Sequence, residues 1–196
     1  MLFRSTFAFE VRALFPIPTG EQVFISYIDP ALPRTPRQEA LSSYAFTCTC
    51  TFCALTGPAL TQSETRRALI ARADSSLPTR DAALSQWAHD PSLPDDHIQT
   101  VDKMYVSLFE AERLYYEPVW AGFVARLCKA AGALEDAEEA RRWAALAAAL
   151  SRAYTGSGRG WDAVVARPER TRWWGARNAA RRAAGAGALQ GQAALG

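Results

Sequence analysis

The sequence has no long apolar run. Nothing in its 196 residues approaches the roughly 18 to 20 consecutive apolar side chains that span a bilayer, which argues against a membrane role. It has no secretory leader either. Met1-Leu2-Phe3-Arg4-Ser5-Thr6-Phe7 lacks a basic stretch followed by an apolar core and a small-residue cleavage site. The expected setting is therefore intracellular, nuclear or cytoplasmic. Charge of one sign is scarce: 22 basic against 20 acidic residues leave +2, no strong signal for nucleic acid. There are two histidines and four cysteines. In a reducing compartment, clustered thiols bind metal in preference to pairing.

What is present divides along the chain. Phe7, Phe9, Val11 and Ala13 alternate with Ala8, Glu10, Arg12 and Leu14, a period of two that predicts a strand. Pro16-Ile17-Pro18-Thr19-Gly20 breaks it, and Val23-Phe24-Ile25-Ser26-Tyr27-Ile28 predicts a second strand, ended by Asp29-Pro30. Two strands need more sheet than this to stand in water. Residues 35–44 read as a helix with Pro36 in its first turn. Beyond them everything reads as helix and loop, with short helices at 63–73 and 80–89.

Three longer helices follow. The stripe Ile98, Val101, Tyr105, Leu108, Ala111 and Tyr115 recurs at spacings of three and four until Pro118. Trp120, Val124, Leu127 and Ala131 repeat it before Gly132, and Trp143, Leu146, Leu150 and Tyr154 repeat it again. Short links predict antiparallel packing, compatible with helix-pair repeats although no second copy is clear. From about residue 155 glycine, arginine and alanine dominate, and no acidic residue follows Glu169. That tail reads as disordered apart from docking by Trp161, Trp173 or Trp174.

The chemistry concentrates in Cys48-x-Cys50-x-x-Cys53, three thiols within six residues. Thiolates bring zinc to tetrahedral coordination, and ligands this close need one tight turn. A fourth ligand would come from elsewhere. Cys128 sits on an apolar helix face and reads as a core thiol, and His89 and His97 are poor candidates. A redox role for Cys50 and Cys53 would call for a strand-to-helix setting, which the preceding helix and loop do not supply.

Gly20-Glu21-Gln22-Val23-Phe24-Ile25-Ser26-Tyr27-Ile28-Asp29, then Arg37-Gln38-Glu39-Ala40-Leu41, Tyr44-Ala45-Phe46 and the three cysteines, resemble in order the end of a SET-domain protein-lysine methyltransferase. The SET-and-MYND group and its fungal relatives, which continue into a helical domain, are the nearest in pattern. The resemblance implies S-adenosylmethionine as cofactor, a lysine-containing protein as substrate and zinc at Cys48, Cys50 and Cys53. It places Tyr27 at the catalytic position and Tyr44 and Phe46 at the cofactor and lysine channel. A strand aromatic and two packing rings are the alternative reading of those three. The family's glycine-rich loop and its Asn-His-Ser-Cys segment are not found in the chain, so the expectation is a C-terminal fragment, inactive by itself.

The expected fold class is α+β. Residues 1–47 would be the end of the SET domain with its β-hairpin, 48–60 the post-SET cysteine cluster, 61–154 a helical domain and 155–196 a disordered tail. Two functions compete. One is the C-terminal portion of a lysine methyltransferase. The other is a non-catalytic zinc-knuckle and helical module that binds a partner peptide.

Overall fold

The structure, a computed structural model, describes residues 2–3, 9–13, 16–23, 25–115 and 119–193. Its strands are β1 (Leu2–Phe3) and β2 (Phe9–Glu10), an antiparallel pair with Leu2 opposite Glu10 and Phe3 opposite Phe9. The helices are α1 (Arg34–Ser42), α2 (Gly57–His89), α3 (His97–Ala111), α4 (Val119–Ala133), α5 (Ala137–Thr155), α6 (Trp161–Ala166) and α7 (Ala176–Ala193). A single 3-10 turn, Pro168–Arg170, separates α6 from α7.

The fold is helical, which corrects the expected α+β class and its SET-type β-hairpin. The run at 23–28 contains no strand among its described residues, and Phe9–Glu10 pairs with Leu2–Phe3 instead. Val23 and Ile25 stand 62% and 59% exposed. β-branched residues favour a strand only where a ladder and a covered face reward alternate burial, and these side chains have no such cover. Phe7, Ala8, Leu14 and Phe24 from the expected strands, and Pro118 from the expected helix stop, lie outside the described residues.

The two short helices expected at 63–73 and 80–89 are one 33-residue helix, α2, which runs through Pro78. Proline inside a helix removes a hydrogen bond and costs about 3 kcal/mol. Packing on both sides holds the helix together. Ile70, Ala73 and Leu77 join the main core, while Leu84 and Trp87 join a second cluster with Ile98, Ala130 and Ala133. Gly122 on α4 admits Leu77: a β-carbon there would lie 3.3 Å from a Leu77 methyl.

Helices α3, α4 and α5 form the centre. Ile98 packs near Ala130 and Ala133, Asp102 pairs with Arg126 at 2.8 Å, and Tyr105 stacks on Phe123 at 4.7 Å. Partner numbers fall as residue numbers rise, so α3 and α4 run antiparallel. The same order relates α4 and α5: the Cys128 thiol donates to the Ala140 carbonyl, and the Tyr154 hydroxyl, late in α5, donates to the carbonyl of Tyr115, which precedes α4. The core face of α3 is Ile98, Asp102, Tyr105, Val106 and Phe109. Val101, expected on that face, is partly exposed. Asp102 takes the inward position because the buried Arg126 guanidinium meets it there. Asp136 caps α5 by accepting from the Glu139 N–H, and Gly156, with φ of 83°, ends it.

Residues 156–193, expected to be disordered, instead form α6, the 3-10 turn and α7, which meet α5, α2 and α4. Composition misled because buried residues anchor that stretch, Arg177 and Pro168 among them. The Arg177 guanidinium donates to the carbonyls of Trp87, Asp90 and Leu93, the exposed ends of the turn leaving α2, and lies over the Trp87 ring. Trp173 packs so tightly on Gly132 that a β-carbon there would meet its ring at 2.8 Å.

Candidate metal centre

Between α1 and α2 the chain makes a tight turn in which the Ala54 N–H donates to the Cys50 carbonyl at 2.9 Å. This turn brings the Sγ atoms of Cys48, Cys50 and Cys53 within 4.8 Å of one another. The cluster could hold a metal ion. Tetrahedral thiolates at about 2.3 Å from a metal stand about 3.8 Å apart, so binding would draw the sulfurs in by about an ångström or less. No fourth histidine, cysteine or carboxylate joins them among the described residues. Cys128 lies in the core instead, its thiol on the Ala140 carbonyl.

Helix α1 grips the turn at three points. The Gln38 side chain donates to the Cys48 carbonyl at 2.7 Å and accepts from the Cys48 N–H at 3.1 Å. Arg37 donates to Cys53 Sγ at 3.6 Å, and Arg34 donates to the Leu55 carbonyl at 3.1 Å. The turn docks on α2 as well, where the Arg67 guanidinium lies 5.4 Å from the centre of the Phe52 ring. Exposure grades across the cluster: Cys53 is buried, Cys48 half-buried and Cys50 exposed.

The thiols differ electrostatically. Burial first, then contact with the Cys50 and Cys53 sulfurs, pushes the Cys48 thiol up to about 11. Burial works against the Cys50 thiolate too. There the N–H groups of Cys53 and Phe52 and the Cys48 thiol outweigh it, leaving Cys50 below the ordinary thiol range. Of these two, Cys50 presents a thiolate more readily than Cys48.

The remaining residues singled out by sequence lie on the surface nearby. Tyr27 and Tyr44 face each other with ring centres 5.5 Å apart, tilted by 41°. Tyr27, Tyr44 and Phe46 are 64%, 57% and 52% exposed. Phe46 borders an open cavity of about 420 Å³ with Arg34, Gln38, Ser42, Ala45 and Thr47. The structure thus brings Tyr27 to Tyr44 without enclosing either.

Sequence reasoning missed Arg37 and Arg67. One signal pointed to Arg37: it stands four residues before Leu41, on the same face of a short helix, and a charge on an apolar face asks for a partner. Both are buried. For Arg67 no local pattern existed, since its partners come from 30–32, 52 and 112.

Compared with family models, curated proteins and solved structures, the chain finds no match. Among the described residues no helix is long and apolar enough to cross a membrane.

Proposed function

We propose that the chain is a zinc-binding helical module that docks a protein partner, of the kind carried by SET-and-MYND-type lysine methyltransferases. The observation that carries this reading is the gathering of three cysteine sulfurs within 4.8 Å by a turn that α1 clamps at Cys48, Cys53 and Leu55. An all-thiolate donor set favours zinc over the hard, oxygen-seeking cations. A structural site of this kind contributes folding energy to the loop it ties. Val23, Ile25, Tyr27, Tyr44 and Phe46 leave large apolar side chains exposed in the segment that leads to the cluster, which supports a protein partner.

Methyl transfer to a lysine is the second reading, favoured by the approach of Tyr27 to Tyr44 in the order the family resemblance implies. Bound S-adenosylmethionine supplies an electrophilic methyl group. The described residues do not fit it by themselves. Three aromatics more than half exposed cannot exclude water from a reacting amine, and the cavity beside Phe46 is lined by no carboxylate that would take a ribose or a sulfonium charge. Resemblance to the family now rests on α1, the aromatic pair and the cysteines, without the hairpin.

Metal analysis of the purified chain tests the first reading. One zinc per chain is expected, lost when the three cysteines are replaced by serine. The same preparation should show no S-adenosylmethionine binding by calorimetry. A folded, reduced chain that takes up no metal would remove the zinc reading, and tight cofactor binding would turn the choice toward the enzyme.

A further inference from the structure

The three thiolates are not the whole metal centre. We infer that Arg37 is a positioning residue for the metal: its buried guanidinium holds Cys53 Sγ and balances the negative charge of a metal–tris-thiolate, linking metal occupancy to the docking of the cysteine turn between α1 and α2. This inference rests on the metal-binding reading.

The case is one of unmatched charge. Arg37 is 6% exposed and Cys53 3% exposed, so their contact is made out of water. Arg37 has two acceptors, the Leu32 carbonyl at 2.7 Å and Cys53 Sγ at 3.6 Å, and among the described residues no carboxylate pairs with it. The buried acid that meets Arg67, Glu112, is already spent. One oxygen takes the Arg66 Nε at 2.7 Å, and the other takes the Ser63 hydroxyl at 2.7 Å and faces Arg67 Nε at 2.9 Å, the last an ion pair without hydrogen-bond alignment. Arg67 also reaches the Leu32 carbonyl at 3.4 Å, so two guanidinium groups meet on one oxygen. Arg67 is correspondingly held below the usual arginine range, by burial first and by the Arg37 charge second.

A buried cation without an anion is costly. With no carboxylate partner among the described residues, Arg37 gains a matching anion when the sulfur it touches is held as a metal thiolate. A divalent ion with three thiolates carries one net negative charge, and that charge would sit at the Cys53 sulfur Arg37 already touches. Hydrogen bonds to ligating sulfur also fix its lone pair toward the metal, and outer partners of this kind are worth about 10- to 100-fold in affinity. Since Arg37 and Arg67 share Leu32, and Arg67 bridges Phe52 and Glu112, metal loading should tighten the contact of the knuckle with the helices.

The test uses the full chain and zinc itself. Zinc affinity is measured by competition with a chromophoric chelator for wild type, Arg37→Met, Arg37→Lys and the control Lys103→Met, whose side chain lies outside the cluster. Cobalt(II) spectra and thermal unfolding with and without zinc accompany it. Arg37→Met should bind zinc about 10- to 100-fold more weakly, with Arg37→Lys between it and wild type and Lys103→Met unchanged. Its sulfur-to-cobalt charge-transfer band should move to lower energy, because removing an N–H donor raises the sulfur lone pair; a merely structural role would not move it. If Arg37→Met does not fold, Arg37→Lys carries the comparison by the same affinity and spectral readouts. Equal zinc affinity and an unmoved band in the folded variant would overturn the inference alone. Wild-type chain that binds no zinc would overturn the metal reading and the inference with it.

Discussion

Replacing Glu112 with alanine should cost the fold about 3 to 5 kcal/mol, the range for breaking one side of a buried ion pair. Glu112 lies just past α3 and is 1% exposed, with Arg66, Arg67 and Ser63 on its two oxygens. Its loss leaves Arg67, 2% exposed, as a buried charge repelled by Arg37. It also strips the Ser63 hydroxyl of its acceptor. A hydrogen bond to a charged group is worth about 1.5 to 3 kcal/mol net, but the three contacts share one carboxylate and do not add. The Arg66 side chain is 28% exposed and recovers water, so its share is discounted. Urea unfolding with an unchanged m-value measures the difference. At about 2 to 4 °C per kcal/mol for a chain of this size, melting should fall by roughly 6 to 20 °C. Glu112→Gln should lie between, keeping shape and an acceptor while losing the charge. Adding Arg67→Met to Glu112→Ala should cost less than the two singles summed, because the stranded cation is gone. A Glu112→Ala chain within about 0.5 kcal/mol of wild type, the range of an ordinary surface change, would refute the account of this hub.

Two further outcomes follow from the same structure. Burial pushes the Cys128 thiol up to about 11 from an ordinary 9.0, so the folded chain holds this proton more tightly than the unfolded one. The resulting stability is fully present below pH 9 and is lost as pH rises from about 9 to about 11; Cys128→Ala should flatten that part of the stability–pH curve relative to wild type, and parallel curves would count against it. Arg177→Ala should destabilise by on the order of 3 kcal/mol, since three carbonyls lose their donor. Amide exchange at residues 90–96 should quicken in that variant, and unchanged exchange there would deny Arg177 its anchoring role.

How much of this was legible beforehand depends on how local each feature is. The cysteine cluster was, because six residues of chain cannot carry their sulfurs far apart once a turn forms. The antiparallel packing of α3, α4 and α5 followed from apolar spacing and short links, as each stripe can bury itself only against its neighbours. The strand at 23–28 was misread because alternation describes a side-chain pattern, whereas a strand exists only with a partner. Tyr27 and Tyr44 were placed in one channel by resemblance; the chain brings their rings together but leaves them open to water.

Local chain chemistry by itself determined how α5 starts and stops, at Asp136 and Gly156, and which thiols could share a metal. Tertiary structure alone decided that α2 continues through Pro78, that Asp102 and not Val101 faces inward, and that an arginine-rich tail folds onto the bundle. In each case a charge or a helix breaker is tolerated because distant groups compensate it: Arg126 for Asp102, flanking core clusters for Pro78, three carbonyls for Arg177. Such compensation depends on which groups meet across the fold, and spacing along the chain does not carry that information.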